Sequence, residues 1–84
     1  MNYGIKIKPR AFKDLKRIDK QFASNIADAI EKMQFDLNSR NIKKLTNFSP
    51  EYRLRVGNYR VLFEIENDTE IVVYRIIHRK DAYR

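Results

Sequence analysis

The sequence contains no cysteine, no tryptophan and a single histidine, His78. Without cysteine there are no disulfides and no thiolate nucleophile, and one histidine alone does not predict a zinc site. No apolar run is long enough for a membrane-spanning helix, and no signal-peptide pattern is present. We therefore expect a cytoplasmic protein with no membrane contact that needs neither a metal nor another cofactor.

Glycine and proline are also scarce, with two of each in 84 residues. Gly4 and Gly57 stand far apart, so the chain has no glycine-rich phosphate-binding loop. None of the serines lies in a motif that would make it a nucleophile. Hydrophobic residues make up 43% of the chain and charged residues 35%, which is typical of a folded soluble protein. The length predicts one small domain over residues 1–84.

Acidic residues are too few to balance the basic ones. The chain has 18 Lys+Arg against 11 Asp+Glu, which gives a net charge of +7. Such an excess on a small domain is typical of proteins that bind nucleic acid or another polyanion. From residue 53 onward there are six arginines but one lysine. Because a planar guanidinium can bind phosphate through two parallel hydrogen bonds, this part of the chain is the best candidate for phosphate binding.

The segment Tyr52–Glu66 predicts a β-hairpin. Apolar residues alternate with arginines up to Val56, Gly57-Asn58 suits a two-residue turn, and the alternation resumes after it. One apolar face is thereby directed to the core. The same register places Arg55 directly opposite Arg60 on the other face. Like charges in direct opposition destabilise a sheet, so we expect an anion between these two arginines.

Alternation continues over Glu70–Ile77 and predicts a further strand. A two-residue turn at Asn67-Asp68 would then direct one set of side chains to the core, namely Val72, Tyr74 and Ile76. The predicted row on the other side consists of Arg55, Arg60 and Arg75, with Arg53 nearby. A four-residue turn would keep these faces, whereas a three-residue turn would reverse them.

The N-terminal half predicts an edge strand and two helices. Tyr3–Lys8 alternates apolar and lysine side chains, as exposed edge strands do. Pro9 suits the first turn of a helix. The apolar stripe of this helix comprises Ala11, Phe12, Leu15 and Ile18. Asp19-Lys20 separates it from a second helix, which runs to about Leu37, and the two form an antiparallel hairpin over one sheet face.

Two further features of this half are a basic stripe on the helices and an irregular segment after them. The basic stripe at helical spacing comprises Arg10, Lys13, Arg17 and Lys20. It is either a nucleic-acid contact or an ordinary solvated face. Residues 38–50 are predicted as a loop anchored by Ile42, Leu45 and Phe48, with a helical turn near Lys43–Leu45. The resulting order is β-α-α-β-β-β, an α+β fold with a helical hairpin on one face of a mainly antiparallel four-stranded sheet.

The groups left for catalysis are the arginines, His78 and Tyr83. They fit metal-independent cleavage of RNA, which carries its own nucleophile in the 2′-hydroxyl. Such a reaction needs a base for the hydroxyl proton, cations around the phosphate and an acid for the leaving 5′-oxygen. DNA would not supply this nucleophile.

Two stretches resemble the RelE group of the RelE/ParE toxin superfamily. One is Tyr-Arg-Leu-Arg-Val-Gly-Asn-Tyr-Arg over residues 52–60, and the other is His-Arg-Lys-Asp-Ala-Tyr over residues 78–83. The similarity extends over essentially the whole chain. It implies the toxin of a type II toxin-antitoxin system, an mRNA interferase that cleaves mRNA in the ribosomal A site and inhibits translation. It also implies a cognate antitoxin and the ribosome as partners.

The resemblance implies roles for individual residues. Tyr83 matches the C-terminal tyrosine and would be the base, while Arg79 would be the acid or would stabilise the leaving group. The implied phosphate clamp comprises Arg53, Arg55 and Arg60. The founding member has lysine where this chain has Arg53, and it separates its last arginine and tyrosine by more residues. A lysine loses a proton more readily than an arginine, so the protonation scheme can differ here.

Further candidates for substrate binding are Arg75, His78 and Lys80. Histidine ordinarily titrates nearer to neutrality than tyrosine, so His78 is an alternative base. Alternation carried past Ile77 instead directs His78 to the core side, where it would pack. Two other functions stay open: a gyrase-inhibiting toxin of the ParE type, and an RNA-binding or antitoxin-binding module that has lost its activity.

Overall fold

The computed structural model describes residues 2–47 and 49–81 as two helices packed on a five-stranded mixed sheet. The elements in chain order are β1 (Gly4–Ile7), α1 (Pro9–Lys16), α2 (Lys20–Met33), β2 (Ile42–Lys44), β3 (Tyr52–Val56), β4 (Tyr59–Glu66) and β5 (Glu70–His78). The strand order is β1-β5-β4-β3-β2, and β1 pairs in parallel with β5 while the other pairs are antiparallel. The predicted α+β class is confirmed, with β1 at an edge. Within the described residues, 2–47 and 49–81, no helix is long and apolar enough to cross a membrane.

The strand that the sequence analysis did not predict is β2. It pairs with β3, with Lys43 opposite Arg53 and Lys44 opposite Tyr52. A three-residue strand is too short to show period-2 alternation, and its conformation is decided by pairing with β3. The predictions of four strands and of a helical turn near Lys43–Leu45 are therefore wrong. Phe48, a predicted anchor of this segment, lies outside the described residues.

The inner face of α1 differs by one residue from the predicted stripe. Ala11 is fully buried, and Leu15 and Ile18 pack against the core. Phe12 is instead 51% exposed, with the Lys16 ammonium 5.1 Å from its ring centroid. The prediction that Phe12 belongs to the buried stripe is wrong, since the smaller Ala11 takes the central position against the core.

α2 ends at Met33, short of the predicted Leu37. The backbone N–H of Tyr3 donates to the Gln34 carbonyl at 3.0 Å, and the Gln34 side-chain amide donates to the Tyr3 carbonyl at 3.0 Å. The backbone N–H groups of Gln34 and Phe35 each donate at 3.1 Å to carbonyls three residues back. These bonds tighten the last turn and tie it to the start of β1, so the helix does not continue.

The core lies between the helices and one face of the sheet. Its fully buried side chains include Ile26 on α2 and Phe63 on β4. Along β3 and β4, residues that pack in this core alternate with residues of the opposite face, which we call the open face. The open face carries Arg53 and Arg55 of β3 and Arg60 of β4.

The β3–β4 hairpin has the predicted register. Val56 pairs with Tyr59, and Arg55 pairs with Arg60. Gly57 has a φ of +57°, which suits the first central position of a type II′ turn. Local turn chemistry and period-2 alternation agree here, so the prediction of this hairpin is confirmed.

The β4–β5 turn is one residue longer than the predicted two-residue turn. Asn67 and Asp68 have positive φ angles of 53° and 57°, and the backbone N–H of Thr69 donates to the Glu66 carbonyl at 3.0 Å. Glu66 then pairs with Glu70, which makes Thr69 a third turn residue. As expected for a three-residue turn, the faces of the first half of β5 are reversed.

A β-bulge at Tyr74 restores the predicted faces in the second half of β5. Phe63 pairs with Val73, but the next residue of β4, Leu62, pairs with Arg75, which leaves Tyr74 as the extra residue. The core receives Ile71, Val73 and Ile76, rather than the predicted Val72, Tyr74 and Ile76. The core placement of Ile76 is thus confirmed. Val72 is also fully buried, but it pairs with Glu64 on the opposite face of the sheet, so the predicted face is wrong for Val72 and the predicted core placement is wrong for Tyr74.

Candidate phosphate-binding site

The turn between β3 and β4 holds two arginines through three consecutive carbonyl groups. Nη1 of Arg60 donates to the Gly57 carbonyl at 3.1 Å and to the Tyr59 carbonyl at 3.0 Å. The backbone N–H of Arg79 donates to the Asn58 carbonyl between them at 2.7 Å. The tight turn that Gly57 permits therefore fixes Arg60 at the start of β4 and Arg79 just beyond the end of β5.

Arg55 and Arg60 are direct cross-strand partners on the open face. Arg55 is exposed and Arg60 is half-buried. Side chains paired in this way have Cβ atoms about 5 Å apart, so their positive charges repel each other. A phosphate between them would cancel this repulsion and accept hydrogen bonds from both guanidinium groups. The predicted pairing is confirmed, and its role in phosphate binding stays a prediction.

A second pair of like charges lies beside the first. Lys43 of β2 is the direct partner of Arg53 of β3. Nη1 of Arg53 donates to the Asn41 carbonyl at 3.4 Å, so the guanidinium lies toward β2. Sequence reasoning missed Lys43 because it placed this residue in a loop. The sequence signal for a strand here was the change from apolar Ile42 to Lys43. Two residues are too few to predict a strand or its register.

Arg75 does not belong to the predicted arginine row. The register places it opposite Leu62 rather than Arg60, and its guanidinium forms an ion pair with Asp14 of α1. Nε donates to Oδ2 of Asp14 at 2.7 Å and Nη2 to Oδ1 at 3.3 Å, while the backbone N–H of Ile76 donates to Oδ2 at 3.0 Å. The hydrogen bonds to Asp14 raise the pKa of Arg75. The extra turn residue and the bulge both shift the register, which explains the error.

His78 lies on the core side of the sheet, as the alternation predicts. Its ring packs edge-on against the Tyr59 ring, with the two ring centroids 5.3 Å apart. The ring centroids of Tyr59 and Phe22 are 6.1 Å apart. Nδ1 of His78 accepts the backbone N–H of Lys80 at 3.2 Å. Because Nδ1 accepts this bond, the proton of a neutral His78 ring belongs on Nε2. This arrangement favours the packing role of His78 over the catalytic one.

Arg79 and Lys80 are exposed in the turn that follows β5. The backbone N–H of Asp81 donates to the His78 carbonyl at 2.8 Å, which closes this turn. Tyr83, the predicted base, lies outside the residues that the structure describes. Of the predicted C-terminal site residues, the structure thus links Arg79 to the hairpin and Lys80 to His78.

The other end of the open face is acidic. Glu64 and Glu66 follow Arg60 along β4 on the same face. Partial burial, together with these two carboxylates, raises the pKa of Tyr74. Phosphate binding is therefore favoured near the hairpin turn and opposed at the far end of β4.

The arginine side chains of the open face have the chemistry that suits a phosphate ligand. The arginines of the open face are cations that would stabilise the negative charge which builds up when a nucleophile attacks phosphorus.

Within residues 2–47 and 49–81, no three His, Asp or Glu side chains lie together as a metal site would require. The predicted basic stripe, comprising Arg10, Lys13, Arg17 and Lys20, is exposed, and its role stays open.

The chain is similar to known proteins over most of its length. A family model described as the ParE toxin of the type II toxin-antitoxin system, parDE, matches residues 5–83. Toxin RelE3 of Methanocaldococcus jannaschii is 41% identical over 76 residues, which cover 84% of this chain and 84% of that protein.

Two solved structures share the fold. A chain of the RelB-RelE antitoxin-toxin complex from Methanococcus jannaschii has a TM-score of 0.77 and 36% identity, covering 93% of this chain and 94% of that chain. A chain of the archaeal RelE-RelB complex from Pyrococcus horikoshii has a TM-score of 0.80 and covers 98% of this chain and 100% of that chain. The second is 24% identical, so its likeness concerns the fold alone.

Proposed function

This chain belongs to the RelE/ParE family of toxins from type II toxin-antitoxin systems, and we propose that it is a ribosome-dependent mRNA endoribonuclease. The observation that carries the proposal is the direct pairing of Arg55 and Arg60, with Arg79 tied to the same turn. The Arg55 and Arg60 side chains, with Arg79 anchored to the same turn by its backbone, would provide the charge needed at a phosphate under attack.

In the proposed reaction the 2′-hydroxyl of the substrate attacks the adjacent phosphorus. A 2′,3′-cyclic phosphate forms, and the bond to the 5′-oxygen of the next nucleotide breaks. Tyr83 takes the proton of the 2′-hydroxyl, and Arg79 donates to the leaving oxygen or stabilises its charge. The phosphate clamp comprises Arg53, Arg55 and Arg60. The nucleophile comes from the RNA, so the reaction requires neither a metal nor another cofactor.

We also propose that this chain binds a cognate antitoxin, because a related chain with 36% identity is solved within a RelB-RelE antitoxin-toxin complex. An acidic amphipathic segment would complement the arginines of the open face and become ordered on binding. It would inhibit by covering these arginines or by displacing the segment from His78 to Arg84. Hydrogen exchange should show protection at one of these places. Unchanged hydrogen exchange at both places would mean that the antitoxin inhibits sterically, because the toxin-antitoxin complex is too large to enter the ribosome.

A second candidate function is inhibition of gyrase, which the ParE description of the matching family model supports. The two functions leave different damage in the cell. Inducing the chain without its antitoxin should produce cleaved mRNA if it is an endoribonuclease, and gyrase-linked DNA breaks if it is a gyrase inhibitor. Antitoxin binding without either kind of damage would indicate a module that has lost its activity.

A further inference from the structure

The open face continues past its arginines onto edge strand β2, and we propose that Lys43 binds an RNA phosphate there. Lys43 is exposed and is the direct partner of Arg53. Among residues 2–47 and 49–81 it forms no ion pair, since the ion pair found there joins Arg75 to Asp14. The charge of the Lys43 ammonium is thus not compensated by a carboxylate of the described chain.

Two like-charge pairs follow each other across three strands, with Lys43–Arg53 joining β2 to β3 and Arg55–Arg60 joining β3 to β4. Each pair brings two cationic side chains close together, where a single anion can contact both of them. One such pair suits a single phosphate. Two in succession suit a chain of phosphates, which is the chemistry of a nucleic-acid backbone.

The spacing places Lys43 at a different phosphate from the one between Arg55 and Arg60. Lys43 is two strands away from Arg60 and is displaced by two residues along the strand direction. Strand separation and rise per residue put their Cα atoms roughly 12 Å apart. Lys43 therefore contacts a phosphate beside the one that is cleaved, and it is a binding residue rather than a catalytic residue.

The inference rests on the proposed function for its ligand, an RNA strand, and the chain offers a matched control for its test. Lys44 is the next residue, has the same charge and is also exposed, but its partner is Tyr52, which packs against the core. Successive residues of a strand point to opposite faces, so Lys44 does not share the open face with Lys43.

The experiment compares Lys43→Ala with Lys44→Ala in binding to a fluorescently labelled single-stranded RNA by the full chain. The dissociation constant is measured from about 50 to 200 mM NaCl, where each phosphate contact adds about 0.7 to the slope of log K against log salt. Lys43→Ala should lower the magnitude of this slope by about 0.7, whereas Lys44→Ala should leave it unchanged. If alanine lowers the Tm of either variant, the pair Lys43→Gln and Lys44→Gln replaces it.

Equal slopes for the two variants would overturn the inference, because a general loss of charge would then explain any change. Failure of the wild-type chain to bind this RNA at the lowest salt concentration would also overturn it. Ribosome-dependent cleavage is measured in parallel. Absence of cleavage together with a slope change confined to Lys43→Ala would refute the proposed enzyme but support Lys43 as a phosphate contact. Cleavage with equal slopes would refute the role of Lys43 alone.

Discussion

Arg55 and Arg60 are direct partners across the β3–β4 hairpin, so two guanidinium groups face the same side of the sheet at one register position. An arrangement of this kind is unfavourable without a counter-ion. Since hydrophobic burial and turn chemistry fix the register from the other face, the sheet cannot slip to separate the two charges. The repulsion is therefore built into the fold, and an anion that binds between the arginines should stabilise the protein.

We expect inorganic phosphate to raise the Tm of the wild-type chain. At ten times its dissociation constant a ligand of the folded state adds about 1.4 kcal/mol to the free energy of unfolding. Arg55→Gln should lose this gain, because one of the two guanidinium groups that would contact the anion is gone. The measurement is thermal unfolding in phosphate and in sodium chloride of equal ionic strength. Equal phosphate effects on the two proteins would mean that the pair is not an anion site.

The same relationship shows what the sequence can predict. Alternation over Tyr52–Val56 and the Gly57-Asn58 turn are local signals that agree with each other, and the register of Arg55 and Arg60 follows from them. The prediction succeeds because every residue that decides this register lies within the hairpin.

Arg75 shows where local signals fail. Its predicted position opposite Arg60 depends on the length of a turn that includes Thr69 and on a bulge at Tyr74, and neither has a distinct sequence signal. Its actual partner, Asp14, is 61 residues away in the chain. The position of Arg75 thus depends on a turn, a bulge and a contact with α1, none of which can be predicted from alternation within β5.

The strand β2 was not predicted from the sequence for a related reason. Three residues with two lysines carry no alternation, and the strand exists because β3 offers it an edge for pairing. The candidate site was consequently predicted without Lys43. The positions of Arg53, Arg55 and Arg60 on the open face were correct, since they depend on the hairpin alone.

Asp14 fastens α1 to β5, and its removal should destabilise the fold. Asp14→Ala leaves the Arg75 guanidinium and the Ile76 backbone N–H without their shared acceptor. We expect the free energy of unfolding in urea to fall by about 1–3 kcal/mol. Asp28→Ala is the matched control because Asp28 is exposed on α2, and it should change stability by no more than about 0.5 kcal/mol. Similar losses for both variants would show that the Asp14 bonds contribute little.

Tyr74 should make stability depend on pH in the alkaline range. Partial burial and the carboxylates of Glu64 and Glu66 raise its pKa in the folded state. The resulting stabilisation is fully present below the unfolded-state pKa of about 10 and is lost as pH rises through the higher folded-state pKa. Urea unfolding of the wild type and Tyr74→Phe across this range should show a steeper alkaline decline for the wild type. Parallel declines would contradict the proposed environment of Tyr74.

The identity of the base can be tested at two positions. Tyr83→Phe keeps the ring but removes the hydroxyl, so a base at this position predicts a loss of about 10²–10⁴-fold in single-turnover cleavage. His78→Asn places a side-chain oxygen near the position of Nδ1, where it can accept the Lys80 N–H, but lacks Nε2. We expect it to cleave at nearly the wild-type rate. A near-normal rate for Tyr83→Phe with a large loss for His78→Asn would reverse the assignment.

The most direct test is cleavage of mRNA on purified ribosomes by the wild type, Arg60→Ala and Arg79→Ala. The wild type should cut within the A-site codon and leave a 2′,3′-cyclic phosphate. Loss of one guanidinium should reduce the cleavage rate by about 10²–10³-fold, as removal of a donor to a developing anion does. Arg60→Lys, which keeps the charge but not the fork, should retain intermediate activity. Undiminished cleavage by folded Arg60→Ala and Arg79→Ala, or no cleavage by the wild type, would contradict an endoribonuclease site on this hairpin.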